Sequence, residues 1–168
     1  MIPAAAFLLV FLPMLLEARV STAHERVLRA AGAREPRGDV YVLMQAIYPA
    51  SFAVMIAEGL IRRVTYDALV AAGAVVYVLA KGLKYWAIVT LGPRWTFRVL
   101  VPPGSVSSVQ GPYRWLRHPN YIAVAGELAG TGLAMHAWYT AGPAILLFVG
   151  LMMRRVAIEE RALAGLPE

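Results

Sequence analysis

The sequence predicts an all-α, polytopic integral membrane protein: about five transmembrane helices in one domain, closing on a helical hairpin. Three observations lead there. Of 168 residues, 60% are hydrophobic and the mean hydropathy is +0.61. Charged residues make up only 15%, against about 25% in an ordinary soluble domain. The apolar residues also come in runs, separated by short arginine-bearing segments, and a membrane helix needs about 20 such residues.

The first run is Ile2 to Leu16. A secretory signal opens on positive charge, whereas this run has no charge before Glu17. It is expected to be a short first membrane helix, broken or tilted near Pro13. The second run is Val40 to Leu60, and the third is about Ala68 to Leu91. Lys81 and Lys84 fall inside the third, near its end, where long cationic side chains usually snorkel to the headgroups. The segment Gly92 to Gln110 is rich in Pro, Gly and Ser. It reads as an irregular loop along the headgroups, with a short strand-like run at Phe97–Val101.

The fourth and fifth runs, Tyr121–Ala137 and Tyr139–Met153, are short and almost contiguous. They predict a tight hairpin turning near Met135–Tyr139, with His136 and Trp138 at the interface. Gly126, Gly130 and Gly132 in the fourth run suit close helix packing or leave room for a ligand. Glu127, in the same run, must face a pocket or the bundle interior.

Arginines set the orientation. Arg19, Arg26, Arg29, Arg34 and Arg37 follow the first run; Arg94, Arg98, Arg114 and Arg117 follow the third; Arg154, Arg155 and Arg161 follow the fifth. Only Arg62 and Arg63 lie on the alternate side. Cytoplasmic segments carry the excess of positive charge, so the N-terminus is expected outside and the C-terminus inside. The net charge of +6 then addresses anionic headgroups rather than nucleic acid.

Several chemistries are excluded or unsupported. With no cysteine, disulfides, thiolate catalysis and Cys-based metal sites are ruled out. His24, His118 and His136 fall in three different segments without metal-ligand spacing, so no metal is expected. There is no Gly-rich phosphate loop and no serine elbow.

Two constellations remain. "GPYRWLRHPNY" places Tyr113, Arg117, His118, Asn120 and Tyr121 around Pro119. Proline suits the first helical position, and the amides of a helix start favour an anion. Arg117 adds a guanidinium fork suited to a carboxylate. The second constellation, "RRVAIEERAL", puts Arg155 and Glu159 one turn apart on a helix, with Glu160 beside them. An antiparallel hairpin brings the two segments side by side at one face. On composition alone, a basic, aromatic membrane anchor and a ligand site fit "RHPNY" equally; the hairpin, by joining the two segments, favours a site.

"GPYRWLRHPNY", a hairpin, then "R-x-x-x-E-E-x-x-L" resembles the isoprenylcysteine carboxyl methyltransferase family in its short bacterial form. The resemblance covers about Leu91 to Leu163. It implies a single domain over residues 1–168, with N-terminal helices to residue 91 and a catalytic half over 92–168. It further implies an S-adenosyl-L-methionine-dependent O-methyltransferase. Its acceptor would be lipophilic: a prenylcysteine-like carboxylate, or a phenolic oxygen of a long-chain alkylpyrone or alkylresorcinol. The resemblance implies a cytoplasmic cofactor pocket, facing inwards from a bacterial inner membrane.

Residue by residue, Tyr113, Arg117, His118, Pro119, Asn120 and Tyr121 match the family's cofactor-binding segment. Glu160, with Glu159 beside it, matches its C-terminal acid. Arg155 matches the arginine of the acceptor site. The Gly130–Gly132 pair is similar to that of phospholipid methyltransferases. Two features depart from the pattern: the chain lacks an F-G-x-E-Y continuation, and "SVSSVQGPY" has serine where histidine is common. Membrane sterol reductases, which use NADPH, share "RHPNY". They place Glu three residues after the tyrosine, where this chain has Val124, and lack the paired acids. A non-enzymatic membrane scaffold is the third reading.

Overall fold

The structure is a computed structural model, and it describes residues 1–36, 38–103 and 108–163. Arg37, counted above for orientation, lies outside the described residues, as does part of the Gly92–Gln110 loop. Five helices carry the fold: α1 (Ile2–Ala30), α2 (Tyr41–Ile61), α3 (Ala68–Leu91), α4 (Pro119–Ala134) and α5 (Ala141–Leu163). Short 3-10 turns at Gly92–Arg94 and Gly111–Arg114 punctuate the connector from α3 to α4. Among the described residues there is no strand. The expected strand-like run reduces to one antiparallel bridge, Arg34 to Val101.

Four helices are long and apolar enough to cross a membrane: Ile2–Ala30, Tyr41–Ile61, Ala68–Arg94 and Ala141–Arg161. α4 has 16 residues. At 1.5 Å per residue it reaches about 24 Å, short of a hydrocarbon core about 30 Å thick.

α1 differs from expectation. It runs unbroken through Pro13 for 29 residues. Proline removes the N–H that would serve the carbonyl four residues earlier. Here the Tyr77 hydroxyl of α3 donates to that carbonyl, Leu9 O, at 3.1 Å. A neighbouring helix thus supplies a hydrogen bond at the proline site.

Contacts at both ends fix the directions. Asp39, at the start of α2, lies near Arg155 late in α5. At the opposite end, Glu58 late in α2 accepts hydrogen bonds from Tyr139 N, Thr140 N and Thr140 Oγ1 at 3.2, 3.0 and 2.7 Å. Glu58 therefore caps the open amides entering α5, as an N-terminal carboxylate should. α2 and α5 are antiparallel. The hairpin turn sits where expected, with His136 stacked on Trp138 at 5.7 Å and 3.2 Å from Asp67, the N-cap of α3.

Phe52, Met55, Leu128, Met135 and Phe148 form the buried core. Leu8, Leu12, Val78, Leu79 and Leu146 point outwards, fully or half exposed. An apolar exterior of this kind suits lipid.

The glycines of α4 serve packing. A Cβ on Gly130 would sit 2.6 Å from Tyr77 N, and one on Gly73 would sit 2.4 Å from Ala134 N. α3 and α4 thus touch backbone to backbone. Gly132 meets Ala141 instead, where a Cβ would lie 2.6 Å from the alanine Cβ.

The lysines of α3 do not snorkel; both are buried. Lys81 Nζ lies 2.7 Å from Glu17 Oε1 and 3.1 Å from Glu127 Oε1. Lys84 Nζ lies 2.6 Å from Glu17 Oε2 and 3.5 Å from Glu127 Oε1. The Tyr48 hydroxyl donates to Glu127 Oε2. Two cations and two anions at membrane depth neutralise one another, where a lone charge would need to reach water.

Candidate functional site

The two polar segments meet. Pro119 opens α4 as its first residue, with His118 as N-cap and no side-chain capping hydrogen bond; the Tyr121 and Ile122 amides donate to His118 O at 3.2 and 3.4 Å. Gly111 opens the preceding 3-10 turn at φ +54°, against Thr90 of α3, in space no side chain can share. That turn presents Tyr113 from the side of α3. Across from it runs the last stretch of α5.

His118 Nε2 lies 3.3 Å and Arg117 Nη2 lies 3.1 Å from Glu160 Oε1. The Tyr121 hydroxyl donates to Glu159 Oε2 at 3.0 Å. The His118 and Tyr121 rings stack with centroids 5.6 Å apart. These contacts surround a cavity of about 360 Å³. Of the nine residues singled out from sequence, eight line it: Tyr113, Arg117, His118, Asn120, Tyr121, Arg155, Glu159 and Glu160. Pro119 is buried beneath it as part of the helix start. Burial pushes the Tyr113 phenol above its ordinary value, and the Glu159 charge adds to the shift. Tyr113 is therefore a neutral donor and ring surface at neutral pH.

Arg155 occupies another wall. It is only 6% exposed. Its Nη2 donates to Phe97 O, its Nη1 approaches Met44 Sδ at 3.9 Å, and its Nε has no hydrogen-bond partner.

Sequence reasoning missed the third wall. Trp95, Thr96, Arg98, Val99, Leu100, Val101 and Pro102 of the connector line the cavity. The buried Trp95 donates from Nε1 to Asn120 Oδ1 at 3.4 Å. The N-terminal half ties this segment down. Ser21 Oγ accepts from Phe97 N at 2.8 Å, and His24 Nδ1 lies 2.8 Å from Trp95 O. Arg98 pairs with Glu35 at 2.6 Å and stacks on Tyr41 at 4.2 Å. Local signals for these contacts are weak, because each partner lies on a different element. The aromatic pair Trp95–Phe97 was the one visible cue.

Chemically, the cavity offers an acid pair, two cationic or hydrogen-bonding groups, a helix start without a side-chain cap, aromatic faces and one buried guanidinium. That set suits a ligand carrying both charges, with an aromatic part.

An uncharacterized protein of Bacillus subtilis (strain 168), YpbQ, is 29% identical over 147 residues, covering 88% of each chain. An uncharacterized protein of Haemophilus influenzae is 24% identical over 148 residues, covering 88% of this chain and 86% of its own. No solved structure matches. The family model for isoprenylcysteine carboxyl methyltransferases matches residues 72–165, from within α3 to beyond α5, and so takes in every site residue named from sequence. With more than half of its length matched, the chain belongs to the isoprenylcysteine carboxyl methyltransferase (ICMT) family.

Proposed function

We propose that this integral membrane protein is an S-adenosylmethionine-dependent O-methyltransferase acting on a lipophilic acceptor at the cytoplasmic membrane face. The observation that carries the reading is the convergence of Arg117–His118 with Glu160, and of Tyr121 with Glu159, on one cavity. Family membership supports the reaction class.

The residues fit the cofactor. Its amino-acid end is a zwitterion. Arg117 and Glu160 hold one another 3.1 Å apart, so they can exchange partners with such a ligand and leave no charge unmatched. Arg117 and the Asn120 N–H, the first amide donor of α4 because Pro119 has none, would hold the carboxylate. Glu159 and Glu160 would hold the cationic groups. Trp95 and Tyr113 offer faces for the adenine. A cavity of about 360 Å³ lies within the range of small-molecule sites, about 300–1,000 Å³.

When bound, S-adenosylmethionine supplies a methyl group on a positively charged sulfur. The chain's own task is positioning and exclusion of water. Arg155 would orient the acceptor oxygen by hydrogen bonding. A carboxylate acceptor is already ionised at neutral pH and needs no base. The excess of arginines at the cavity end supports a cytoplasmic site, and the acceptor's tail would enter sideways from the bilayer.

A thermal-shift comparison in detergent tests this. At a hundred times Kd, S-adenosylmethionine should stabilise the fold by about 2.7 kcal/mol, or about 5–10 °C for a chain of this size. NADPH should do nothing. Stabilisation by NADPH alone favours the reductase reading, and a shift with neither favours a scaffold.

A further inference from the structure

We infer that Asp39 is a positioning residue for Arg155, completing the acceptor side of the cavity from the N-terminal half of the chain. The inference rests on the methyltransferase reading above. Asp39 lies outside the family-matching segment 72–165, in the link entering α2. Its side chain is 4% exposed and that of Arg155 is 7% exposed, with Nη1 and Oδ1 4.0 Å apart.

A buried guanidinium needs a counter-charge close by. The other nearby acids are committed elsewhere. Glu159 accepts from Tyr121, while Glu25 and Glu35 pair with Arg98. Asp39 is the carboxylate that faces Arg155. Yet the pair stays open: Asp39 Oδ1 and Arg155 Nε both lack a hydrogen-bond partner among the described residues. The guanidinium is therefore steered by the charge of Asp39 and by Phe97 O, but is not saturated. Arg155 lines the cavity, and these two contacts set its aim there.

Asp39 also holds the cavity wall. Its Oδ2 accepts from Val99 N at 3.4 Å, and Val99 lines the cavity beside Arg155. One carboxylate thus sets both the aim of the arginine and the backbone opposite it. It acts through Arg155, not on the acceptor itself.

The test uses the full chain in detergent, with S-adenosylmethionine and two acceptors, a prenylcysteine and a long-chain alkylresorcinol. Asp39→Asn keeps the shape and removes the charge. Asp39→Glu keeps the charge and moves it by one methylene. The expected order of kcat is wild type, then Asp39→Glu, then Asp39→Asn, with the last lowered by about tenfold or more. KM for the acceptor and Kd for S-adenosylmethionine should stay within about threefold, a pattern of lost orientation rather than lost binding. A purely structural role would instead lower thermal stability and leave kcat of the folded fraction intact. Wild-type kcat in either folded variant overturns the inference. If Asp39→Asn does not fold, Asp39→Glu decides alone. Failure of the wild type to bind S-adenosylmethionine or to methylate either acceptor would sink the underlying reading instead.

Discussion

At the residue scale, the site is a set of exchangeable pairs. Tyr121 illustrates this, because its hydroxyl fixes Glu159 at 3.0 Å. Hydrogen bonds to charged groups contribute about 1.5–3 kcal/mol. Tyr121→Phe should therefore weaken S-adenosylmethionine binding by about tenfold, measured as a change in Kd, and lower the melting temperature of the ligand-free protein by several degrees. Glu35 shows how the rim is held. Burial raises its pKa, but hydrogen bonds from Arg29 and Arg98 and their charges outweigh it, leaving the carboxyl below its ordinary 4.5. A depressed folded pKa contributes stability above the unfolded value, lost as pH falls through the folded one. Acid titration of thermal stability should show this slope below pH 4.5 in the wild type, and Glu35→Gln should flatten it.

Much at this scale was legible in the sequence. "RHPNY" carried the helix start at Pro119, and the acids one turn beyond Arg155 carried the opposite wall. Asp39, Ser21 and His24 were not legible. Each acts on a residue about 60 or more positions away, and periodicity reports only on near neighbours. Lys81 and Lys84 were misread for the same reason. Their partner Glu17 lies on α1, where a lone acid looked like the end of a span.

At the element scale, α3 and α4 form the rigid frame of the cavity. Their backbones touch at Gly73 and Gly130, and the ion cluster ties both to α1. Gly130→Ala should cost about 1–3 kcal/mol through overpacking. Gly82→Ala, on α3 with nothing within 4 Å of its Cβ, should cost nothing. Melting temperatures of the two variants, taken side by side, check the prediction. Removing one cation leaves a buried acid unmatched, so Lys84→Met should destabilise by about 3–5 kcal/mol, seen as a large drop in the same assay. The packing role of the glycines was visible as small-residue spacing. The length of α1 was not, because the Tyr77 hydroxyl that serves Leu9 O beside Pro13 comes from another helix.

At the scale of the whole molecule, alternating helix directions gather the start of α2, the end of α3, the start of α4 and the end of α5 at one end. By the excess of arginines at that end, we propose that it faces the cytoplasm. The chain has no native cysteine, so single introduced cysteines report topology cleanly. Thr65→Cys should label from outside the cell with a membrane-impermeant maleimide, and Arg161→Cys only after permeabilisation. The reverse pattern would place the cavity outside.

We propose that one cavity, built from the two ends of the α4–α5 hairpin, holds S-adenosylmethionine. Equilibrium binding of radiolabelled S-adenosylmethionine to the purified protein tests it most directly. Saturable binding to the wild type is expected, weakened by about tenfold or more in both His118→Ala and Glu160→Ala. Binding as tight as wild type in both variants would contradict the account.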